Sequence, residues 1–206
     1  MSTISIIGAG SMAAAIGGRI AKAGHTVEVV SRDPAKAQVL ADQLAAGVTT
    51  GTYGSAPSGD LVILAVPYAN AAAVVADYGD ALNGKVIIDI TNPAAPDLSG
   101  LLTPHGSSAA QEIAKDLPAG AHVVKAFNTI FGHILAKGGR LDAFIAADDA
   151  EAKARVSTFL ESLGLRPFDV GGLRMAQTLE ALGLMMISLA KHGAGTWNFA
   201  MKVDIG

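Results

Sequence analysis

The sequence has 206 residues, of which 50% are hydrophobic and 16% are charged, and its formal net charge is −3. This length predicts one domain, or one large domain with a small appendage, with enough apolar residues for a packed core. No cluster of lysine and arginine is present, which argues against a nucleic-acid partner. No apolar run reaches the roughly 18 residues of a membrane span, so we expect no membrane partner.

The chain contains no cysteine, which excludes disulfides and thiolate chemistry and fits a reducing compartment. Residues 3–7 already form a strand pattern, so we expect no signal peptide and a cytoplasmic location. The low charged fraction also indicates that a partner subunit covers some apolar surface.

In chain order, short apolar and β-branched runs alternate with segments that favour helices. The runs predict strands at 3–7, 25–30, 61–66, 86–90, 122–126, 143–146 and 166–170. Helices are predicted at 12–23, 34–44, 69–78, from the Ser108 cap to about 117, from an Asp148 or Asp149 cap to 163, and at 173–191. This alternation predicts parallel βαβ units and a doubly wound α/β sheet.

A glycine turn lies between the first strand and the first helix. In the pattern Gly8-x-Gly10-x-x-Ala13, Gly8 permits a tight turn, Gly10 lets the backbone approach a pyrophosphate, and Ala13 lets the helix pack on the strand. The helix N-terminus then offers free N–H groups and a positive dipole end to the phosphates. We predict a dinucleotide site; the alternative is an ordinary glycine-rich turn.

The end of the second strand indicates which dinucleotide binds. An NAD site usually has an acidic residue here, whereas this chain has Ser31 and then Arg32, whose planar guanidinium suits a phosphate. Asp33 is better explained as the cap of the helix that begins at Pro34. Lys36 opposes the helix dipole unless an anion lies nearby. These residues favour NADP(H), with its 2′-phosphate on Ser31, Arg32 and Lys36; the alternative is that both cations are solvated surface charges.

Motifs for other chemistry are missing from the sequence. The five histidines have no metal-ligand spacing, and neither a Tyr-x-x-x-Lys pair nor a Gly-x-Ser-x-Gly turn occurs. We therefore assign no catalytic side chain and no metal, and expect the cofactor to carry the chemistry.

Several short motifs resemble one family, the NADP oxidoreductases that act on the deazaflavin coenzyme F420, with their bacterial dinucleotide-binding relatives and the reductase domain of six-transmembrane metalloreductases. The motifs are Gly8-Ala9-Gly10-Ser11-Met12, Ser31-Arg32-Asp33-Pro34, Ala65-Val66-Pro67-Tyr68, Asp89-Ile90-Thr91-Asn92-Pro93, Val124-Lys125-Ala126-Phe127-Asn128-Thr129 and Leu163-Gly164-Leu165-Arg166-Pro167. The archaeal enzymes often have His where this chain has Asn128, so the resemblance leaves the acceptor open.

The resemblance implies a Rossmann domain at 1–170 and a C-terminal helix and tail at 171–206 that complete the substrate cleft in a homodimer. It implies an NADPH-dependent reductase of a small flat acceptor, either coenzyme F420 or a flavin such as FMN. The implied cofactor residues are Gly8, Ala9, Gly10, Ser11, Met12, Ser31, Arg32, Lys36, Ala65, Val66, Pro67, Tyr68 and Asn92. The implied substrate residues are Asn92, Pro93, Phe127, Asn128, Thr129 and Trp197.

Other interpretations of these residues remain open. Asn128 could satisfy only loop backbone groups, Trp197 could pack at a dimer interface, and Lys125 could be a surface charge at a strand end. The chain as a whole could be a non-catalytic NADP(H) sensor. It could also be a pyrroline-carboxylate or imine reductase, although those enzymes have a longer C-terminal helical domain.

Overall fold

The computed structural model describes residues 2–44 and 47–205, in which strands and helices alternate. The strands are β1 (Thr3–Ile7), β2 (Thr26–Val30), β3 (Thr49–Thr50), β4 (Leu61–Leu64), β5 (Val86–Asp89), β6 (His122–Lys125), β7 (Asp142–Ile145) and β8 (Arg166–Asp169). The helices are α1 (Ser11–Lys22), α2 (Pro34–Leu44), α3 (Tyr68–Tyr78), α4 (Ala109–Lys115), α5 (Gly132–Lys137), α6 (Ala150–Ser162) and α7 (Ala176–Ser188).

Six of the strands form one parallel sheet in the order β3-β2-β1-β4-β5-β6. The chain winds outward from β1 to β3 and then returns to place β4 on the other side of β1, so the winding direction changes between β1 and β4. Every residue of β4 and β5 is buried, as expected for central strands covered on both faces. The predicted doubly wound sheet is confirmed, and the point of reversal is where such sheets bind ligands.

The last two strands differ from the expectation of a single sheet. β7 and β8 pair in parallel with each other in a separate two-stranded sheet. Lys125 and Ala146 join it to β6 through an antiparallel bridge. Because the chain meets β6 in the opposite direction at this bridge, β7 does not continue the parallel sheet.

Two apolar layers cover the faces of the six-stranded sheet. Ile16 and Ile20 of α1 pack on one face in a cluster that includes Leu40 of α2 and Leu160 of α6. The other cluster includes side chains of α3, α4 and the start of α7, namely Val74, Val75, Ile113 and Ala176. The glycine turn and the C-terminal helix are therefore both anchored in the core.

Helix caps agree with the sequence, whereas the C-terminal helix is shorter than expected. Ser108 Oγ accepts from the N–H of Gln111 at 3.1 Å, and Asp149 Oδ1 accepts from the N–H of Ala152 at 2.7 Å. The helix predicted at 173–191 is instead a 3-10 turn, then α7, then a π-helical turn at Leu189–Gly193. Within 2–44 and 47–205, no helix has both the length and the apolarity to cross a membrane.

Candidate cofactor and substrate site

The glycine turn joins β1 to α1 at the point where the sheet reverses. Gly8 has a φ of +128°, and its N–H donates to the carbonyl of Val30 at 2.8 Å. A Cβ on Gly8 would overlap the carbonyl oxygen of Ala65 on the neighbouring strand. Glycine is therefore required here both by the backbone conformation and by the close approach of the next strand.

Gly10 serves a different purpose at the start of α1. It is the N-cap residue, no side chain caps the helix, and the first turn contains no acidic residue. A Cβ on Gly10 would meet no atom within 4 Å, so the space beside it is open. The N–H groups of the first turn can therefore reach an anion of the size of a pyrophosphate.

A groove of about 430 Å³ extends from this turn across the ends of β2 and β4. It brings together the predicted cofactor residues Gly8, Ala9, Gly10, Ser31, Arg32, Lys36, Ala65, Val66 and Pro67. Tyr53, Asn70 and Val74 also line it. The groove thus joins the predicted pyrophosphate site to the predicted 2′-phosphate site.

The charged residues of the groove require one correction. Asp33 Oδ1 accepts from the N–H of Ala35 at 3.1 Å, which confirms Asp33 as a helix cap. Its other oxygen lies 3.8 Å from Lys36 Nζ. Lys36 therefore has an anion nearby already, and its position does not by itself require a bound phosphate. The argument for a 2′-phosphate rests more on Arg32, which is exposed and lines the groove.

Tyr53 is a groove residue that the sequence interpretation missed. Its hydroxyl donates to Asp77 Oδ2 at 2.7 Å, and its ring meets Tyr78 edge-on, with 5.2 Å between centroids. Burial and the hydrogen bond to Asp77 raise the pKa of Tyr53 to about 12, so the hydroxyl is neutral near pH 7. The sequence did contain a signal for Tyr53, because it is a single aromatic residue in a loop of small residues next to a strand end.

A second cavity of about 740 Å³ adjoins the turn through Ser11 and Met12. It brings together five other predicted residues, Asn92, Phe127, Asn128, Thr129 and Trp197. Further lining residues, not expected from the sequence, include Ile90, Phe131, His133, Gly183, Met186 and Ile187. Because neighbouring residues of one turn line the groove and this cavity, one extended ligand could occupy both.

Two predicted residues, Tyr68 and Pro93, line neither cavity. Tyr68 begins α3, and its hydroxyl donates to Glu112 Oε2 at 2.8 Å. Pro93 is buried behind Asn92, and its carbonyl accepts from the N–H of Leu102 at 2.7 Å. The structure therefore places both beside the site and engages them with neighbouring protein groups.

The wall of the cavity after β6 has a strained backbone. Phe127 is fully buried with a φ of +60°, in a tight turn closed by the N–H of Asn128 and the carbonyl of Ala126 at 2.8 Å. For a bulky side chain this conformation is costly, and such strain is concentrated at functional sites.

Asn92 and Asn128 hold each other across the two strand ends. Asn92 Nδ2 donates to the carbonyl of Asn128 at 2.7 Å, and Asn128 Nδ2 donates to Asn92 Oδ1 at 2.9 Å and to the carbonyl of Leu179 at 2.8 Å. Asn128 Oδ1 and Thr129 Oγ1 are buried with no hydrogen-bond partner among the described residues. Buried polar atoms without partners are rare, and here they leave hydrogen-bonding capacity for a ligand.

Lys125, the last residue of β6, belongs to a cluster of buried charged side chains beside this wall of the cavity. Lys125 is 0% exposed, so the interpretation of Lys125 as a surface charge is wrong. Lys125 Nζ donates to Asp89 Oδ2 at 2.8 Å, to Glu180 Oε1 at 2.8 Å and to the carbonyl of Thr91 at 2.6 Å. Two features of the sequence signalled this cluster. Lys125 is a cation within an apolar strand, and Glu180 is the only acidic residue of α7.

The tail beyond α7 closes one side of the cavity. The Trp197 ring meets Phe131 edge-on at 5.2 Å, and the Trp197 carbonyl lies 2.9 Å from His133 Nε2. Farther along, Asp142 Oδ2 accepts from the N–H of Val203 at 2.6 Å while Arg166 binds both Asp142 oxygens. The tail is thus held at both ends, and 42% of Trp197 stays exposed.

Neither cavity has the features of a metal site. No group of three or more histidine or acidic side chains in the described part of the chain could hold a metal ion. Among the described residues that line the larger cavity, His133 is the only ionisable one. A doubly wound sheet, an open helix N-terminus and an adjoining apolar cavity together define a Rossmann-type dinucleotide-binding protein.

Comparison with known proteins identifies the family. A family model described as NADP oxidoreductase, coenzyme F420-dependent, matches residues 3–93. An F420-dependent NADP reductase of Methanothermobacter marburgensis is 30% identical over 201 residues, which cover 88% of this chain and 89% of the relative. This chain therefore belongs to the family of coenzyme F420-dependent NADP oxidoreductases, and it is an NADPH-dependent reductase.

Two further matches agree with this assignment. A solved structure from Arthrobacter sp. FB24, of a protein proposed to be an F420-dependent NADP reductase, has a TM-score of 0.88 and 28% identity over 100% of both chains. The metalloreductase STEAP3 of Rattus norvegicus is 30% identical over 187 residues, which are 89% of this chain. The match spans only 37% of the length of the metalloreductase.

The alternative classes are not favoured. Full-length relatives of this chain are named as reductases, which favours an enzyme over a non-catalytic NADP(H) sensor. A pyrroline-carboxylate or imine reductase is not favoured either, because the relative that shows the family, 30% identical over 88% of this chain, is an F420-dependent NADP reductase.

Proposed function

We propose that this reductase transfers hydride from NADPH to a flat redox acceptor that binds in the larger cavity, and that the acceptor is coenzyme F420 or a flavin such as FMN. The observation that carries this proposal is the cavity of about 740 Å³ that begins at the glycine turn. Its lining is mainly apolar and includes Phe127, Phe131 and Trp197, on which planar rings pack well.

In this proposal NADPH lies along the carboxyl edge of the sheet. Ser31, Arg32 and Lys36 would hold the 2′-phosphate, and the turn from Gly8 to Met12 would hold the pyrophosphate. Ala65, Val66, Pro67 and Asn92 would border the ribose and the nicotinamide. The open space beside Gly10 and the continuous lining of the two cavities support this course.

The acceptor ring would lie against the segment Phe127–Thr129 and the tail. Asn128 Oδ1 and Thr129 Oγ1 lack partners in the described chain and could bond the polar edge of the ring. Trp197 is fixed edge-on against Phe131 and could offer a ring face to the acceptor. Tyr68 and Pro93 contribute indirectly here, by fixing the start of α3 and the loop after Asn92.

NADPH supplies the chemistry as a hydride, which carries two electrons, and the reduced acceptor takes one further proton from water. The protein contributes by holding two rings at contact distance and by excluding water from the space between them. No side-chain acid is needed for the hydride step itself, in keeping with the scarcity of ionisable residues around the cavity.

The proposal also covers location and assembly. We infer a cytoplasmic homodimer with residues 171–206 at its interface, acting on a small molecule and on neither nucleic acid nor membrane. Met185, Leu189 and Trp197 of this C-terminal region are 49%, 41% and 42% exposed and support an apolar contact. Sedimentation velocity would measure the mass in solution, and a monomer at micromolar concentration would contradict this part.

Stopped-flow oxidation of NADPH tests the acceptor directly. Coenzyme F420, FMN and a ferric chelate are each mixed with the NADPH-loaded protein, and NADH replaces NADPH in the control. We expect rapid oxidation with F420 or FMN and a slower reaction with NADH. If the ferric chelate is reduced faster than F420 and FMN, the acceptor is a metal chelate and the proposal of a flat ring is wrong. If no acceptor oxidises NADPH, the proposed function fails.

A further inference from the structure

Three charged side chains are completely buried beside the cavity. Lys125, Asp89 and Glu180 each have no exposed surface, yet they come from three different elements, β6, β5 and α7. Burying charges costs free energy that a well-packed apolar cluster would not cost, so a buried ion cluster is weak evidence for stability alone. The contacts of the three residues indicate what else they do.

Lys125 connects three segments that border the cavity. Its Nζ donates to Asp89 and to the carbonyl of Thr91, which directly precedes Asn92, and also to Glu180 on α7. The other carboxylate oxygens are occupied as well. Asp89 Oδ1 accepts from the N–H of Thr91 at 2.9 Å, and Glu180 Oε2 accepts from the N–H of Ala109 at 3.1 Å. The cluster is thus satisfied in one arrangement of the three segments.

That arrangement determines where α7 lies against the cavity wall. The carbonyl next to Glu180, that of Leu179, accepts from Asn128 Nδ2 at 2.8 Å. Gly183 lies about one turn farther along, and a Cβ there would overlap Asn92 Oδ1. Gly183, Met186 and Ile187 then line the cavity. A shift of α7 along its axis would therefore move both the asparagine pair and the lining.

We propose that Lys125, Asp89 and Glu180 are positioning residues that hold α7 in one register as the acceptor-binding wall of the cavity. They act through Asn92, Asn128 and the lining residues of α7, without touching the acceptor. The proposal rests on the proposed function in so far as the cavity binds the acceptor. It assigns the cluster no part in holding the adenosine end of NADPH, because the residues of that groove belong to other segments.

Glu180→Leu is the informative variant because it leaves Lys125 and Asp89 as a balanced ion pair and fills the space of the lost side chain. Glu180→Gln is the conservative partner, since its amide oxygen can still accept from Lys125 and only the hydrogen bond from the N–H of Ala109 is lost. Thr158→Leu, at an exposed position of α6 outside the C-terminal region and the cavity, is the control for added apolar volume. Each is compared with wild type in thermal unfolding, in binding of NADPH and 2′,5′-ADP, and in steady-state kinetics with the acceptor.

For Glu180→Leu we expect affinities for NADPH and 2′,5′-ADP within about twofold of wild type. We also expect the KM for the acceptor to rise and kcat to fall by roughly tenfold or more, because small displacements of reacting groups have large effects on rate. Glu180→Gln should restore most of both values, and Thr158→Leu should match wild type. Wild-type acceptor kinetics in Glu180→Leu would overturn the proposal. A loss of activity that only equals the loss of folded protein, with KM unchanged, would also overturn the proposal.

A readout independent of turnover separates this proposal from the proposed function. Hydrogen exchange of the α7 amides should be faster in folded Glu180→Leu than in wild type and near wild type in Glu180→Gln. If wild type reduces no acceptor but this pattern holds, the proposed function fails and the docking role of the cluster stands. If exchange in α7 is the same in all variants, the positioning role is wrong whatever the acceptor.

Discussion

At the scale of single residues, the two glycines of the β1–α1 turn have separable roles. Gly8 combines a φ of +128° with a Cβ position that overlaps the Ala65 carbonyl. Gly10 has an ordinary φ of −89° and open space around it. The same substitution should therefore affect stability at one position and cofactor binding at the other.

The prediction is that Gly8→Ala lowers the free energy of unfolding by more than about 2 kcal/mol, since backbone strain and a steric clash add together. Gly10→Ala should change it by less than about 1 kcal/mol, but should weaken NADPH binding about tenfold because a methyl group blocks the approach of the pyrophosphate. Urea unfolding and NADPH fluorescence titration measure the two quantities. Equal effects on stability at both positions, or normal NADPH binding by Gly10→Ala, would contradict the assigned roles.

Arg32 should determine the preference for NADPH over NADH. A guanidinium–phosphate contact contributes about 1.5–3 kcal/mol, so Arg32→Ala should weaken NADPH binding by roughly 10–100-fold. NADH lacks the 2′-phosphate and should bind as before. Arg140→Ala, which removes an exposed arginine outside the groove, is the matched control. Unchanged discrimination in Arg32→Ala would remove Arg32 from the cofactor site.

Lys36 should matter less than Arg32, because Asp33 lies 3.8 Å from its ammonium group. Side chains three residues apart meet on a helix, so this contact could have been read from the sequence and was overlooked. Tyr53 was missed for a different reason, because its role depends on contacts with α3, which the loop sequence does not specify. At this scale the glycine pattern was predictable because backbone geometry demands it, whereas partners distant in sequence were not.

At the scale of elements, one ion pair holds the end of the C-terminal tail at Val203. The hydrogen bond from Arg166 holds the pKa of Asp142 below its usual range, and Asp142 in turn accepts from the N–H of Val203. A lowered carboxyl pKa adds stability above the unfolded pKa, near 4, that is lost as pH falls through the lower folded value. The tail should therefore remain docked at neutral and mildly acidic pH and be released only below about pH 4.

Trp197, the only tryptophan, reports this release. Its emission should stay constant from pH 7 to about 4.5 and shift to longer wavelength at lower pH, before the far-ultraviolet helix signal is lost. Asp142→Asn should show the shifted emission already at pH 7, whereas Asp97→Asn, in a loop outside the tail, should not. If the emission of Asp142→Asn equals that of wild type at pH 7, the ion pair does not hold the tail.

Elements with strong local signals were predicted well. The start of α2 agrees with the prediction, because Asp33 and Pro34 mark it. α5 was missed, since its six residues are too short to show a helical period. The place of β7 and β8 in a separate sheet depends on how the chain leaves β6, which periodicity does not encode. The larger cavity was anticipated only in part, because α7 and the tail reach it through contacts that are long-range in sequence.

At the scale of the whole molecule, the division of labour follows the topology. The groove beside the glycine turn is built from the first half of the sheet, where the motif residues are close together in sequence. The larger cavity is assembled from α1, the ends of β5 and β6, α7 and the tail. The family assignment accordingly agrees with the glycine turn and with NADP(H) as the cofactor. The identity of the acceptor depends on the larger cavity, whose lining residues only the fold brings together.

The most direct test of the central claim is a single-turnover measurement with NADPH that carries deuterium at C4 of the nicotinamide. Protein loaded with protiated or deuterated NADPH is mixed without oxygen with coenzyme F420 or FMN, and NADPH oxidation and acceptor reduction are followed together. Direct ring-to-ring hydride transfer predicts that both signals change at one rate and that deuterium slows that rate. NADPH that binds tightly but is oxidised by neither acceptor, or is oxidised at a rate independent of deuterium and of acceptor concentration, would contradict the account.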